Sequence, residues 1–155
     1  MAEPRTARGD YRHFMEIAPR WRDNDAYGHV NNAVFYEYVD TTVNSWIVAN
    51  SGLDVPRSPV VGLAVESGCC FFGPLAFPDP VTAGLRVTRV GNSSVRYEIG
   101  LFRGLSDEPA AEAFFVHVYV DSLTRRPVPL PAAFRAALQG LVGDDARSAP
   151  GLGAT

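Results

Sequence analysis

The stretch Asn32–Asn50, NAVFYEYVDTTVNSWIVAN, decides the fold. Phe35, Val39, Val43, Trp46 and Ile47 return at helical spacing, whereas Glu37, Asp40, Asn44 and Asn50 fill the other faces. One face is built for burial. Asn31 or Asn32 can cap the start, because a short side-chain oxygen accepts a free backbone N–H there, and Ser51 with Gly52 suits the end. A helix over about residues 32–50 makes a rod of roughly 28 Å, long enough to span a small domain.

Upstream of this helix, Tyr11–Trp21 alternates loosely through His13, Met15 and Ile17 and predicts a first strand, followed by a turn over Asp23–Val30. Downstream, Val60–Phe72, Val81–Val90, Ser94–Arg103 and Ala110–Asp121 read as strands, separated by PLAFPDP, GNS and GLSDEP. Val95, Tyr97, Ile99 and Leu101 alternate cleanly, as do Phe115, His117 (or its neighbours Val116 and Val118) and Tyr119, so each strand has one buried and one less buried face. Short turns favour antiparallel neighbours. Three prolines between Arg125 and Pro131 precede Ala132–Leu141, a short helix with Phe134, Leu138 and Leu141 on one stripe. One long helix among five strands cannot supply the crossovers of a doubly wound sheet. The expected class is α+β, with a five-stranded antiparallel sheet curled about the central helix. Residues 1–10 and 143–155 are polar, small and aperiodic, and read as flexible tails on one domain over 11–142.

A chain of 155 residues has room for one such domain with a real core. Its 14 basic residues against 17 acidic ones give a net charge of -3, which offers no footprint for nucleic acid. Every basic residue is arginine. Without lysine there is no Schiff base, no pyridoxal anchor and no P-loop. Cys69 and Cys70 adjoin within an apolar run, point to opposite faces of any strand, and read as buried thiols of a reducing compartment. No signal-like apolar segment and no run of about 18 apolar residues is present, so a cytoplasmic protein without a membrane span is expected. His13 and His117 have no partner at metal-ligand spacing, and no metal site is expected.

The densest chemistry lies just before the helix, where Asp23, Asp25, His29, Asn31 and Asn32 fall within ten residues. The first turn of a helix exposes N–H groups carrying about half a positive charge, which can polarise a carbonyl or hold an oxyanion. A carboxylate beside that carbonyl can attack it or activate water. Plainer roles compete: aspartate is a favoured turn former, both asparagines are helix caps, and Asp23 is read as structural, pairing with Arg20 or Arg22 at the surface.

The run Asp25, Ala26, Tyr27, Gly28, His29, Val30, Asn31 and Asn32, followed by Tyr36, resembles the hotdog-fold thioesterases in the branch of 4-hydroxybenzoyl-CoA thioesterase and the long-chain acyl-CoA and plant acyl-carrier-protein thioesterases. PLAFPDPV is a weaker echo of that family's turn before the third strand, with Pro78 where glycine is usual. The resemblance covers about residues 12–141. It implies a hotdog fold and hydrolysis of an acyl-CoA thioester to a carboxylic acid and free CoA, without cofactor or metal. Asp25 takes the position of the catalytic carboxylate, Asn32 falls near the polarising backbone N–H, and His29 and Asn31 complete the catalytic set. Tyr27, Tyr36 and Glu66 are the substrate-binding candidates. Tyr27 departs from the plant enzymes, which have a catalytic asparagine there, and Glu66 is the nearest match to their later strand glutamate. The resemblance also implies a homodimer or homotetramer, with the site at the seam and Val65–Phe72 of a partner chain completing the pocket. A carrier-protein thioesterase and a non-catalytic acyl-binding subunit are the alternatives.

Overall fold

In the computed structural model, which describes residues 2–143, the order is β1 (His13–Ile17), α1 (Asn32–Asn50), β2 (Val60–Phe71), β3 (Val81–Val90), β4 (Ser94–Arg103), β5 (Ala111–Asp121) and α2 (Ala132–Gln139), with single 3-10 turns at Arg8–Asp10 and Trp21–Asp23. The strands form one sheet in the order β1-β3-β4-β5-β2, and every neighbouring pair is antiparallel. This is the expected α+β arrangement of the hotdog fold, a sheet around one long helix.

Local chemistry sets the ends of α1. The Asn31 side chain accepts the Ala33 N–H at 2.9 Å, and the Ser51 N–H closes the last turn on the Ile47 carbonyl. Its buried face is Phe35, Val39, Val43, Trp46 and Ile47, as the spacing predicts, widened by Tyr38 and Thr42. Thr42 is tolerated there because its hydroxyl donates to the Tyr38 carbonyl at 2.7 Å. That stripe packs on the inward faces of Val81, Ala83, Leu85 and Val87, of Val95, Tyr97, Ile99 and Leu101, and of Ala113, Phe115 and Tyr119. Each large side chain buried this way stabilises the fold by about 1.5–3 kcal/mol. Helix α2 closes one end, with Phe134 edge-to-face on Tyr119 at 4.9 Å.

Five boundaries differ from the sequence reading, the first being the start of β1 at His13 rather than Tyr11. The first strand ends at Ile17 rather than reaching Trp21, because Pro19 has no N–H to offer a ladder and the chain turns into a 3-10 turn. β2 stops at Phe71 and β5 starts at Ala111, one residue inside the expected limits. α2 stops at Gln139, and Leu141 stays buried beyond it, its carbonyl accepting the Val87 N–H.

The residues read as an N-terminal tail, as far as they are described, lie on the outer face of the sheet. Thr6 donates to Glu112, and Arg8 donates to the carbonyls of Gly104 and Ser106. The Tyr11 ring lies flat over the middle strands; a Cβ on Gly84 or Gly100 would stand 2.8 or 2.7 Å from it, so only glycine lets the ring settle. The C-terminal tail lies, apart from Gly143, outside the described residues.

β2 is the long free edge of the sheet, twelve residues against five in β1 at the other edge. Leu63, Val65 and Phe71 are 38%, 61% and 44% exposed on it. Cys69 faces inward beside Ala113 and Cys70 outward beside Glu112; Cys70 is exposed rather than buried, since an edge strand has a neighbour on one side only. Burial pushes the Cys69 thiol up to about 12. Among the described residues, no helix is long and apolar enough to cross a membrane.

Candidate active site

The loop between β1 and α1 is a small hairpin. The Asp25 N–H bonds the His29 carbonyl at 2.9 Å, the Gly28 N–H bonds the Asp25 carbonyl at 3.1 Å, and Asn24 and Val30 form a bridge. Gly28 turns the chain at a φ of +84°, where a side chain would be strained. Two contacts fasten the hairpin to the loop after β2: the Val30 N–H bonds the Leu75 carbonyl at 2.7 Å, and the Phe77 N–H bonds Asn24 Oδ1 at 3.0 Å. A third, from the Asn31 N–H to the Asp23 carbonyl, ties it to the helix start.

Asp25 and the helix start meet through Asn31. One Asp25 carboxylate oxygen accepts the Tyr27 N–H at 2.8 Å, and the other accepts from Asn31 Nδ2 at 3.3 Å. The Oδ1 of that same asparagine caps Ala33. Val34 and Phe35 donate their N–H groups to the Asn31 carbonyl, at 2.9 and 3.3 Å. Of the first-turn amides, the Asn32 N–H has no acceptor among the described residues. Asp25 is half buried and Asn32 exposed, so a carboxylate is tied through Asn31 to a helix start that has one free amide, at an accessible place.

Asp23, two residues earlier, is not the surface residue the sequence suggests. It is 1% exposed. Its carboxylate accepts from the Tyr38 hydroxyl at 2.7 Å, from the Arg20 N–H at 2.8 Å and from Arg20 Nε at 3.0 Å. Burial alone would raise its pKa, but the Arg20 amide, the Tyr38 hydroxyl and the Arg20 guanidinium together hold it below the usual carboxylate range. The Tyr38 phenol moves up, through burial and the Asp23 carboxylate. The pairing with Arg20 is the one the sequence suggests; sequence reasoning missed the burial and the Tyr38 contact, for which the available signal was Tyr38 at the margin of the apolar helix stripe, where a buried phenol needs a partner.

The other candidates separate into two groups. Tyr27, 88% exposed, and His29, also exposed, stand on the Asp25 hairpin, and Asn32 opens the helix beside it. Tyr36 lies one turn along α1, half open, next to Phe35, which packs edge-to-face on Phe71 at 5.1 Å. The site thus adjoins the end of the free edge strand. Glu66 is not brought in. It pairs with Val116, whose side chain points away from the helix, beyond the bulge between Ala64 and Glu66.

Over residues 19–138 the chain matches the thioesterase-like superfamily. Among solved structures, it is 47% identical to the PA5185 protein of Pseudomonas aeruginosa strain PAO1, covering 90% of this chain and 98% of that one with a TM-score of 0.87. A thioesterase from Thermus thermophilus, whose crystal structure is a complex with coenzyme A and Zn, is 29% identical, over 83% of this chain and 98% of that one, with a TM-score of 0.71. The PA2801 protein of Pseudomonas aeruginosa is also 29% identical over the same shares, with a TM-score of 0.76. Comparison with curated proteins gives no match.

Proposed function

Because the chain belongs to the thioesterase-like superfamily, we propose that it hydrolyses acyl-CoA thioesters to a carboxylic acid and free CoA, with Asp25 as nucleophile or general base. The observation that carries this reading is the double role of Asn31, which caps α1 with its oxygen and reaches Asp25 Oδ2 with its nitrogen. That link holds the carboxylate beside the uncommitted Asn32 amide. A thioester carbonyl placed between them is polarised by the amide and by the positive end of the helix.

Two routes balance. In one, an Asp25 oxygen bonds the carbonyl carbon, the C–S bond breaks, CoA leaves as thiolate, and water then cleaves the mixed anhydride to return the carboxylate. In the other, Asp25 takes a proton from water, the hydroxide adds to the carbonyl, and the thiolate leaves and is protonated. Each turnover consumes one water and yields one acid and one thiol. Neither route calls on a metal or a cofactor. His29 and Tyr27, open on the same hairpin, position water and the acyl-CoA, and Tyr36 meets the acyl group. Support for CoA as the leaving group comes from the Thermus thermophilus thioesterase, which binds coenzyme A.

The reading includes a second copy of the chain. A twelve-residue free edge with exposed Leu63, Val65 and Phe71 is a template for β2-to-β2 pairing, and it ends against the helix start. We place the finished site at that seam, in the reducing cytoplasm. Glu66 then contacts substrate only as a residue of the partner's strand.

A thiol-trapping assay with acyl-CoA thioesters of several chain lengths, aliphatic and aromatic, tests the proposal. The wild type should release thiol, and Asp25→Asn should remain folded while losing about 10²–10⁴-fold of the rate. An unchanged rate removes Asp25 from the chemistry. Faster turnover of carrier-linked thioesters of equal chain length selects a carrier-protein thioesterase, and no release from either leaves an acyl-binding role.

A further inference from the structure

We propose that Trp21 is the stacking platform for the adenine of coenzyme A, with Arg22 facing the adjoining phosphates. The inference rests on the acyl-CoA reading above and adds to it where the nucleotide half of the substrate lies.

Trp21 is the largest apolar side chain left open, 79% exposed. It does not hang loose. Its ring meets Phe77 edge-to-face, with centroids 5.8 Å apart and planes at 88°. The Phe77 N–H is held by Asn24 Oδ1, and the neighbouring Leu75 carbonyl takes the Val30 N–H. The open indole is therefore braced by the same two loops that hold Asp25. A ring fixed in position and still wet is suited to a flat aromatic ligand, because ordering has already been done before binding.

The charges around it fit the same ligand. Arg20 is engaged by Asp23 and Glu37, at 2.9 and 3.3 Å, whereas exposed Arg22, next to Trp21 in the same turn, has no carboxylate partner among the described residues. An arginine without a carboxylate partner, next in sequence to an open ring, matches a base joined to phosphates. The pantetheine arm separates sulfur from adenine, so the platform belongs some way from the carboxylate. Trp21 precedes Asp25 by four residues on the same loop.

The test compares an acyl-CoA with the acyl-pantetheine thioester of the same acyl group, which lacks the nucleotide. Trp21→Ala should raise the ratio of KM for acyl-CoA to KM for acyl-pantetheine about tenfold, the effect of losing one base–aromatic stack, and Trp21→Phe should keep most of the wild-type ratio. A ratio unchanged in Trp21→Ala overturns the proposal, including the case in which both KM values rise together because a second copy covers the ring. Fluorescence gives an answer even if no thioester is cleaved. The chain has two tryptophans, and Trp46 is 6% exposed, so adenosine 3′,5′-bisphosphate should quench the emission of Trp21 saturably in the wild type and not in Trp21→Phe. Equal quenching in both proteins, or none in either, overturns the platform. Loss of hydrolysis with the quench intact would instead refute only the acyl-CoA hydrolase reading.

Discussion

Asp23 and Asp25 stand two residues apart and live under opposite conditions. The first is buried, and its carboxylate is filled by an arginine side chain, a backbone N–H and a phenol. The second is half open and holds one good hydrogen bond and one long one. A carboxylate whose lone pairs are all engaged is a strut. One with lone pairs to spare, next to an unused helix amide, can do chemistry. On the proposed reading, what separates the structural acid from the reactive one is how many donors surround each, since the residue type is the same.

Crossed substitutions give the largest effects and break the comparison if they fail. Asp25→Asn should lose hydrolysis by about 10²–10⁴-fold, as above, at a wild-type Tm. Asp23→Asn should do the reverse: removal of a buried, charge-assisted network costs about 2–3 kcal/mol, lowering Tm by roughly 5–10 °C in thermal unfolding, while substrate turnover of the folded protein persists. If Asp23→Asn abolished turnover and kept its Tm, the two roles would be interchanged.

Asn31→Ala comes next, since Asn31 serves both sides. Loss of its cap costs about 1 kcal/mol of stability, readable by denaturant titration. The same change frees the Asp25 carboxylate, so kcat should fall several-fold while Asn31→Asp, which keeps the cap oxygen but repels Asp25, recovers stability and not rate.

The smallest effect involves a third group. His117 is 5% exposed among Tyr97, Phe115 and Tyr119, and its Nδ1 has no hydrogen-bond partner. Burial holds its pKa below the ordinary value, against a weaker upward pull from Asp40. The unfolded chain gains a proton near pH 6.5 while the folded one does not, so stability falls as pH drops through that value. The loss should be under about 1 kcal/mol between about pH 7 and 6, and His117→Phe should flatten the slope. Asp23 acts in another window. Its depressed carboxyl contributes stability that is present above about pH 3.9 and disappears as acid protonates the folded form. A flat wild-type profile over the neutral-to-mildly-acid range would remove the buried neutral imidazole from this account.

What could be read in advance divides along the range of the interactions. The limits of α1, about 32–50 with Asn31 or Asn32 as the cap, were legible because its caps, Asn31 and Ser51, are local chemistry. So was a turn over Asp23–Val30 just before the helix, though not its closing as a hairpin. The pairing of Asp23 with Arg20 was legible, being local, but its burial was not, because its other partner Tyr38 lies fifteen residues away, on a helix whose orientation no local pattern specifies. Cys70 was misjudged for a related reason: an apolar run says that a strand forms, but only the strand order says that β2 ends up at an edge with one neighbour. Trp21 looked like the last residue of a strand until Pro19 ended it early.

The ring of Tyr11 over Gly84 and Gly100 carries one more consequence. Two adjacent central strands have, at those points, no side chain of their own to shelter the peptide groups beneath. Their shelter is lent by the residue just ahead of the first strand. The durability of the back of the sheet therefore depends on a short leading segment whose one bond to the neighbouring strand runs from the Arg12 N–H to the Leu85 carbonyl.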